Sequence, residues 1–350
     1  MTVKKRTAVV YAILAALLFG IGTPLSKLLV DYIPPAYLAS FLYIGAGIGM
    51  GILLLVKKIN LSPSLEANVS KEDSPQIIIM IVLDIAAPIL LMYAVASTTA
   101  SNVSLLNNFE IAATALIAFF VFHEGIGKKM WNAIILILIG CLLLSFEDIN
   151  SLHFSFGSAL VLLACVCWGF ENNMTKKLSC KNPVQIVAIK GLGSGFGALF
   201  IALTIADLQW NLLLVFLGLL LGFCSYGLSI YFYIRAQRIL GAALTSAYYA
   251  AAPFIGVILS FVLLHESLNW MFALALFIML VGSYIAVSDN HTHEHIHEAL
   301  THNHRHSHND NHHFHDHDDA CDSEHSHIHT HCLIEHAHEH LPDSQHTHLH

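Results

Sequence analysis

Two amides and a carboxylate, Asn107, Asn108 and Glu110, stand in the middle of an otherwise apolar run, in the stretch Ser101-Asn-Val-Ser-Leu-Leu-Asn-Asn-Phe-Glu110. If that run crosses a bilayer, an ionised Glu near its centre costs roughly 2.5–3.5 kcal/mol on insertion scales, so the carboxylate must face protein or water. Glu110 is therefore expected to line a pathway, with Asn107 and Asn108 beside it. The other ionisable residues in apolar runs are Asp84, Glu171, Lys27 and Lys190. Asp84 lies just before Ala87-Pro88, where a proline interrupts the helix and frees backbone carbonyls, a combination suited to a site or a hinge. The structural alternative for Asp84 is a buried ion pair with Lys190. Glu171 follows Trp168-Gly169 and precedes Asn172-Asn173, which also fits an amphipathic helix end. For Lys27 the alternative is a side chain snorkelling to the interface.

Histidine forms the second chemical population. His123, His153 and His265 aside, all 25 histidines lie from His291 onward, largely in H-x-H steps such as His302, His304, His306, His308 and His325, His327, His329, His331. Neutral imidazoles are ligands for Zn, Ni, Co and Cu, and Asp, Glu, Cys321 and Cys332 are interleaved with them. Closed finger spacing is missing, so a disordered, multivalent metal-binding segment is expected at 290–350. The interspersed histidines do not read as an engineered tag. His123-Glu124 and His265-Glu266 lack the H-E-x-x-H spacing of zinc hydrolysis and read as interfacial anchors or helix-end caps.

The elements that must position these groups follow from composition. With 56% hydrophobic and 11% charged residues, and a mean hydropathy of +0.64, the 350-residue chain is too apolar for an ordinary soluble domain and reads as a polytopic membrane protein. The net charge of -8 comes from the tail, since half of the 24 acidic residues lie at or beyond Asp289. No nucleic-acid footprint results. The 7 cysteines form no paired CxxC motif and are expected as free thiols. Lys4-Lys5-Arg6 resembles a signal-peptide start, but the apolar run behind it is too long for an h-region and reads as a retained first helix.

At about 20 apolar residues per span, ten fit: 8–30, 36–56, 76–96, 100–122, 131–147, 157–175, 184–205, 209–234, 240–264 and 270–288. Lys57, Lys58, Lys71, Lys128, Lys129, Lys176, Lys177, Lys181, Arg235 and Arg238 then fall on the side of the N-terminus; Asp31, Glu147, Asp148, Asp207 and Glu266 fall on the other. The positive-inside rule makes the basic face cytoplasmic and puts both termini there.

The chain also repeats itself. Gly20 and Lys27 return as Gly169 and Lys176, the ladder Gly45, Gly47, Gly49, Gly51 returns as Gly191, Gly193, Gly195, Gly197, and His123-Glu124 returns as His265-Glu266. Halves of five spans must be inverted relative to each other, a recurrent transporter plan with the site near mid-membrane. The glycine ladders lie within spans and read as close helix packing rather than a nucleotide loop. No G-x-x-x-x-G-K-[ST] is present, so energy is expected from a gradient, from exchange or from another subunit. In the repeat register Glu110 matches Ala252 beside Pro253, and Tyr248 and Tyr249 form the matching wall.

The ten spans, the Trp168-Gly169…Lys176 step with its partner Gly20…Lys27, and the Ala/Ser-rich fourth and ninth spans together resemble the EamA-type drug/metabolite transporters. The resemblance covers about 8–288. It implies a 5+5 inverted-repeat carrier of small metabolites, often an exporter, with a central cavity. Residues 1–150 and 151–289 are then the repeats. Asn107 to Glu110 departs from the proline-containing segment expected there, and the His-rich tail is not a general family feature. The expected protein is an all-α plasma-membrane carrier of a small polar metabolite, with Glu110, Asn107, Asn108, Asp84, Glu171, Tyr248, Tyr249 and Trp168 on the pathway. No catalytic set and no required cofactor is expected, and a homodimer is left open. The alternatives are a divalent transition-metal carrier, with Asp84, Glu110 and Glu171 as ligands and the tail as a buffer, or a membrane-anchored metal sensor.

Overall fold

The computed structural model describes residues 3–59, 68–123, 125–148, 153–175, 178, 181–207, 211–240, 242–288, 291–297, 301–306, 325–330 and 334–340. The first expected span is split into α1 (Val3–Gly20) and α2 (Gly22–Val30), followed by α3 (Pro35–Ile59) and α4 (Ser74–Ser97). The fourth is split again into α5 (Ala100–Leu106) and α6 (Phe109–Phe122), and α7 (Lys128–Ser145) is the fifth. A short hairpin of β1 (Phe146–Asp148) and β2 (His153–Phe154) leads to α8 (Phe156–Met174) and α9 (Pro183–Ile205). The eighth span joins α10 (Leu212–Gly222) to α11 (Ser229–Leu240) through a π-helical stretch, Phe223–Leu228. The ninth consists of α12 (Ala242–Tyr249) and α13 (Ala252–Leu264), and α14 (Trp270–Val287) is the tenth.

Among the described residues, 9 helical segments are long and apolar enough to cross a membrane. The remaining expected span is α8, a 19-residue helix whose final turns carry Glu171, Asn172 and Asn173. The chain is thus an all-α polytopic bundle over its apolar part. Local chemistry sets the helix limits. Thr99, Ser155, Asn182, Asn211 and Asn269 each precede a helix and accept a hydrogen bond from its first free N–H groups. At the other end, α6 and α13 stop at His123 and His265, whose φ values of 57° and 52° place them in the left-handed region. A polar side chain and a reversal of the backbone there satisfy groups that lipid cannot.

The glycine ladders determine which helices touch. α3 packs on α9, and α4 lies against both α8 and α9. A Cβ on Gly191 would stand 2.5 Å from the backbone nitrogen of Gly47, and one on Gly47 would stand 2.5 Å from that of Leu192. Only glycine permits this approach, and since lipid gives no hydrophobic drive for helix association, close contact is what holds the pair. The buried apolar core runs through Tyr37, Leu42, Leu91, Leu105, Ile134, Val161 and Met279.

In the tail, β3 (His291–His297) pairs antiparallel with β6 (Ile334–His340), and β4 (Thr301–His306) with β5 (His325–Thr330). In β4 and β5 the backbone register sets His302 opposite His329, His304 opposite His327 and His306 opposite His325. The period of H-x-H equals the two-residue period of a strand, so a histidine repeat is also a strand-compatible repeat. His308 and His331 lie outside the described residues.

Candidate functional site

The packing of α4, α8 and α9 brings Asp84, Glu171 and Lys190 together. The Lys190 ammonium stands 2.8 Å from Asp84 Oδ2 and 3.3 Å from Glu171 Oε1. Asp84 is fully buried and Glu171 nearly so. From α3 the Tyr43 hydroxyl donates to Asp84 Oδ1 at 3.3 Å, and the buried Trp168 lies near Tyr43. Thr175 Oγ1 donates to Glu171 Oε1 at 3.3 Å. Pro88 removes the donor that the carbonyl of Asp84 would otherwise meet one turn on, which concentrates polarity at this level of α4. The expected Asp84–Lys190 pair is present, with Glu171 as a second acid on the same lysine.

Glu110 belongs to an adjoining group. Asn172 Nδ2 donates to Glu110 Oε1 at 2.9 Å and approaches Thr114 Oγ1 at 3.3 Å, while Asn173 Nδ2 donates to the carbonyls of Thr114 and Gly169. Gly169 makes this possible by letting α8 reach α6, where a Cβ would stand 3.0 Å from the Thr114 nitrogen. Glu110 is half-buried and Asn172 exposed, although both lie within spans. Glu110, Thr114, Asn172 and Asn173 thus form one hydrogen-bonded polar patch between α6 and α8, with Asn172 at its accessible edge.

An aromatic wall completes the site. Ring centroids lie 5.6 Å apart for Phe19 and Tyr249, 6.0 Å for Phe19 and Tyr226, 5.6 Å for Tyr43 and Tyr226, and 5.0 Å for Tyr233 and Tyr249. Tyr226 lies in the π-helical stretch, where the widened turn reorients side chains. Tyr226 is within electrostatic reach of Asp84 and Glu110, and Tyr249 of Glu110. The Tyr249 hydroxyl meets Ser229 Oγ at 3.4 Å, and Tyr233 meets Ser246 at 3.0 Å. The arrangement sets carboxylates and amides on α4, α6 and α8 across from phenols and faces of aromatic rings, which suits a small polar or positively charged molecule.

The remaining candidates sit elsewhere. Asn108 is buried in the break between α5 and α6, its amide donating to the Leu105 carbonyl at 2.9 Å and its oxygen accepting from Ser283 Oγ at 3.1 Å. Asn107 is half-buried in the same break, with a buried Oδ1 that has no hydrogen-bond partner. Tyr248, half-buried on α12, makes no ring or hydrogen-bond contact with the site among the described residues. Lys27 donates to the carbonyls of Val95 at 2.6 Å and Thr98 at 2.8 Å, so it caps the end of α4 instead of snorkelling. Glu266 accepts from the N–H groups of Ala100 at 2.7 Å and Ser101 at 3.0 Å, joining the ninth span to the start of the fourth. Glu124 lies outside the described residues. No group of three or more His, Cys, Asp or Glu among the described residues is placed to hold a metal ion. Sequence reasoning left out Tyr43, Tyr226, Phe19, Thr114 and Asn172. Of these only Asn172, within the already noted Glu171-Asn172-Asn173, carried a visible signal.

The family model of EamA-like transporters matches residues 6–146 and again 155–288. An "uncharacterized transporter" of Methanothermobacter thermautotrophicus is 28% identical over 289 residues, covering 78% of this chain and 84% of its own length. A solved structure described as "Crystal structure of protein" superposes with a TM-score of 0.58 at 15% identity, covering 80% of this chain and 95% of its own; that likeness concerns the fold alone.

Proposed function

This chain belongs to the EamA-like transporter family, and from that premise we propose that it is a secondary carrier moving small polar metabolites, outward from the cell, through a path between its two five-span halves. The observation that carries the reading is the exposed Asn172 hydrogen-bonded to Glu110 within the spans, opposite Tyr226 and Tyr249. The two family matches, one per half, support a pair of repeats, and their odd span number supports an inverted arrangement. Charge bias supports a plasma-membrane protein with its basic face and both termini in the cytoplasm. The test is uptake into liposomes holding the purified carrier, with a labelled panel of amino acids, amines and sugar phosphates beside Ni, Co and Zn. Saturable flux of one metabolite that Glu110→Gln lowers about tenfold to a hundredfold, with membrane insertion unchanged, is the expected result; wild-type flux in that variant sinks the assignment of Glu110.

A second reading, movement of a divalent transition metal with the tail as its buffer, rests on the facing histidines of β4 and β5. Against the spans as the metal path stands Lys190, which already occupies the position between Asp84 and Glu171 where a cation would have to lie. Deleting 291–350 separates the readings: a metabolite carrier keeps its flux, a metal carrier loses efficiency, and a membrane-anchored sensor loses its response altogether.

A further inference from the structure

We propose that Asp84, Glu171 and Lys190 form a proton-binding site that couples the carrier to a pH gradient, a site that adjoins the Glu110 group and rests on the carrier reading above. Two carboxylates share one ammonium at 2.8 and 3.3 Å, so with all three ionised the group holds one negative charge that no described side chain balances. An uncompensated charge at this depth costs several kcal/mol, and the smallest species that removes it is a proton. In the step, a proton from water forms an O–H bond on Asp84, the carboxylate becomes a neutral acid, and Lys190 keeps its ion pair with Glu171. The group passes from one net negative charge to none, and releasing the proton to the opposite side restores it.

The surroundings fit this exchange. The groups facing Asp84 are Tyr43 from α3, Cys167, Trp168 through Tyr43, and Glu171 from α8, Lys190 from α9, and Tyr226 from the π-helical stretch. Tyr43 is amphoteric, donating to the carboxylate and able to accept from the acid. The lysine has two partners on different helices, so losing one leaves it paired. Asp84 belongs to the first five spans, whereas Glu171 and Lys190 belong to the last five. Protonating Asp84 therefore weakens an ion pair that ties the two halves together at the level where α4 meets α8 and α9. A change of contact between halves is what an alternating carrier requires of its coupling ion.

Trp168 is a native reporter because it is buried on α8, three residues before Glu171, and near Tyr43. With Trp131, Trp210 and Trp270 changed to Phe, the emission of Trp168 in detergent micelles should show one sigmoidal transition on pH titration. Asp84→Asn should abolish it, Asp84→Glu should retain it, and Glu110→Gln, which removes a charge that acts on Glu171 and Lys190, should shift its midpoint without abolishing it. An unchanged transition in Asp84→Asn, with helical content equal to the parent by circular dichroism, overturns the proposal. In liposomes, one proton per cycle under a gradient of one pH unit gives about tenfold accumulation of a transported panel member, and Asp84→Asn should equilibrate the same compound without accumulating it. Flux indifferent to the gradient in the parent overturns the coupling and leaves the carrier standing. Absence of flux across the panel with the titration intact counts against the substrate class and supports the proton site.

Discussion

The fourth and ninth spans share a backbone and differ in chemistry. Each is two helices with a two-residue break, Asn107-Asn108 in one and Ala250-Ala251 in the other, and each ends at a left-handed histidine followed by a glutamate. In the fourth, the break is held by the Asn108 side chain between Leu105 and Ser283. In the ninth, Pro253 begins the next helix and removes a donor, so the interruption needs no side-chain staple. The same geometry thus comes from an amide in one span and a proline in the other. Glu110 has no part in the break. It follows the staple and points to Asn172, while Ala252 occupies the corresponding place beside Pro253. The shared parts build the interrupted backbone, and the parts that differ carry the polar chemistry on which the proposed substrate path rests.

The largest effect should come from removing the balance on the charged side of this asymmetry. Lys190→Met leaves Asp84 and Glu171 buried without a cation and should cost about 3–5 kcal/mol, seen as a lower melting temperature in detergent; adding Asp84→Asn should restore part of it. If the single variant melts like the parent, the ion pairs do not tie the halves together. Next, Glu110→Gln exchanges a charge-assisted contact, worth about 1.5–3 kcal/mol, for a neutral one, and should lower transport roughly tenfold to a hundredfold at unchanged stability.

The two breaks can be compared directly by melting. Asn108→Ala takes the acceptor from the buried Ser283 hydroxyl, while the Leu105 carbonyl keeps the backbone N–H of residue 108, and should cost about 1–3 kcal/mol. Pro253→Ala restores a donor and should change stability by less; equal losses would mean that the staple is not what holds the fourth span. The smallest effect is expected from Glu266→Gln, about 1 kcal/mol, since the single amide oxygen can still accept from one of the Ala100 and Ser101 N–H groups while the other loses its acceptor and the charge that favours a helix N-terminus is gone. Faster hydrogen exchange at those two amides, with the rest of α5 unchanged, is the matching readout.

Much of the fold was legible because lipid imposes simple rules. Apolar run length located the helices, and the Asp84–Lys190 pair could be expected because a buried acid requires a cation within reach. Glu266 was expected as an anchor or a cap, and it caps the start of another span. Asn108 illustrates the opposite case: its type suggested a pathway, whereas rotation about α5 aims it at Ser283. Tyr43 and Phe19 went unnoticed since an aromatic residue in an apolar run looks the same in the sequence whether it faces lipid, core or site. The tail shows a further ambiguity, because alternating histidines satisfy both a disordered chelator and a strand.

The sequence alone determined the membrane class, where the apolar helices run and the presence of buried charge, since each follows from local composition or spacing. Only the tertiary structure decided which charges met. The partners of Lys190, Glu110 and Asn108 lie tens of residues or more away along the chain, and they were selected by the rotation and depth of helices that glycines allow to approach. A periodic apolar pattern fixes where a helix runs, but a helix apolar on every side leaves its rotation to be set by packing.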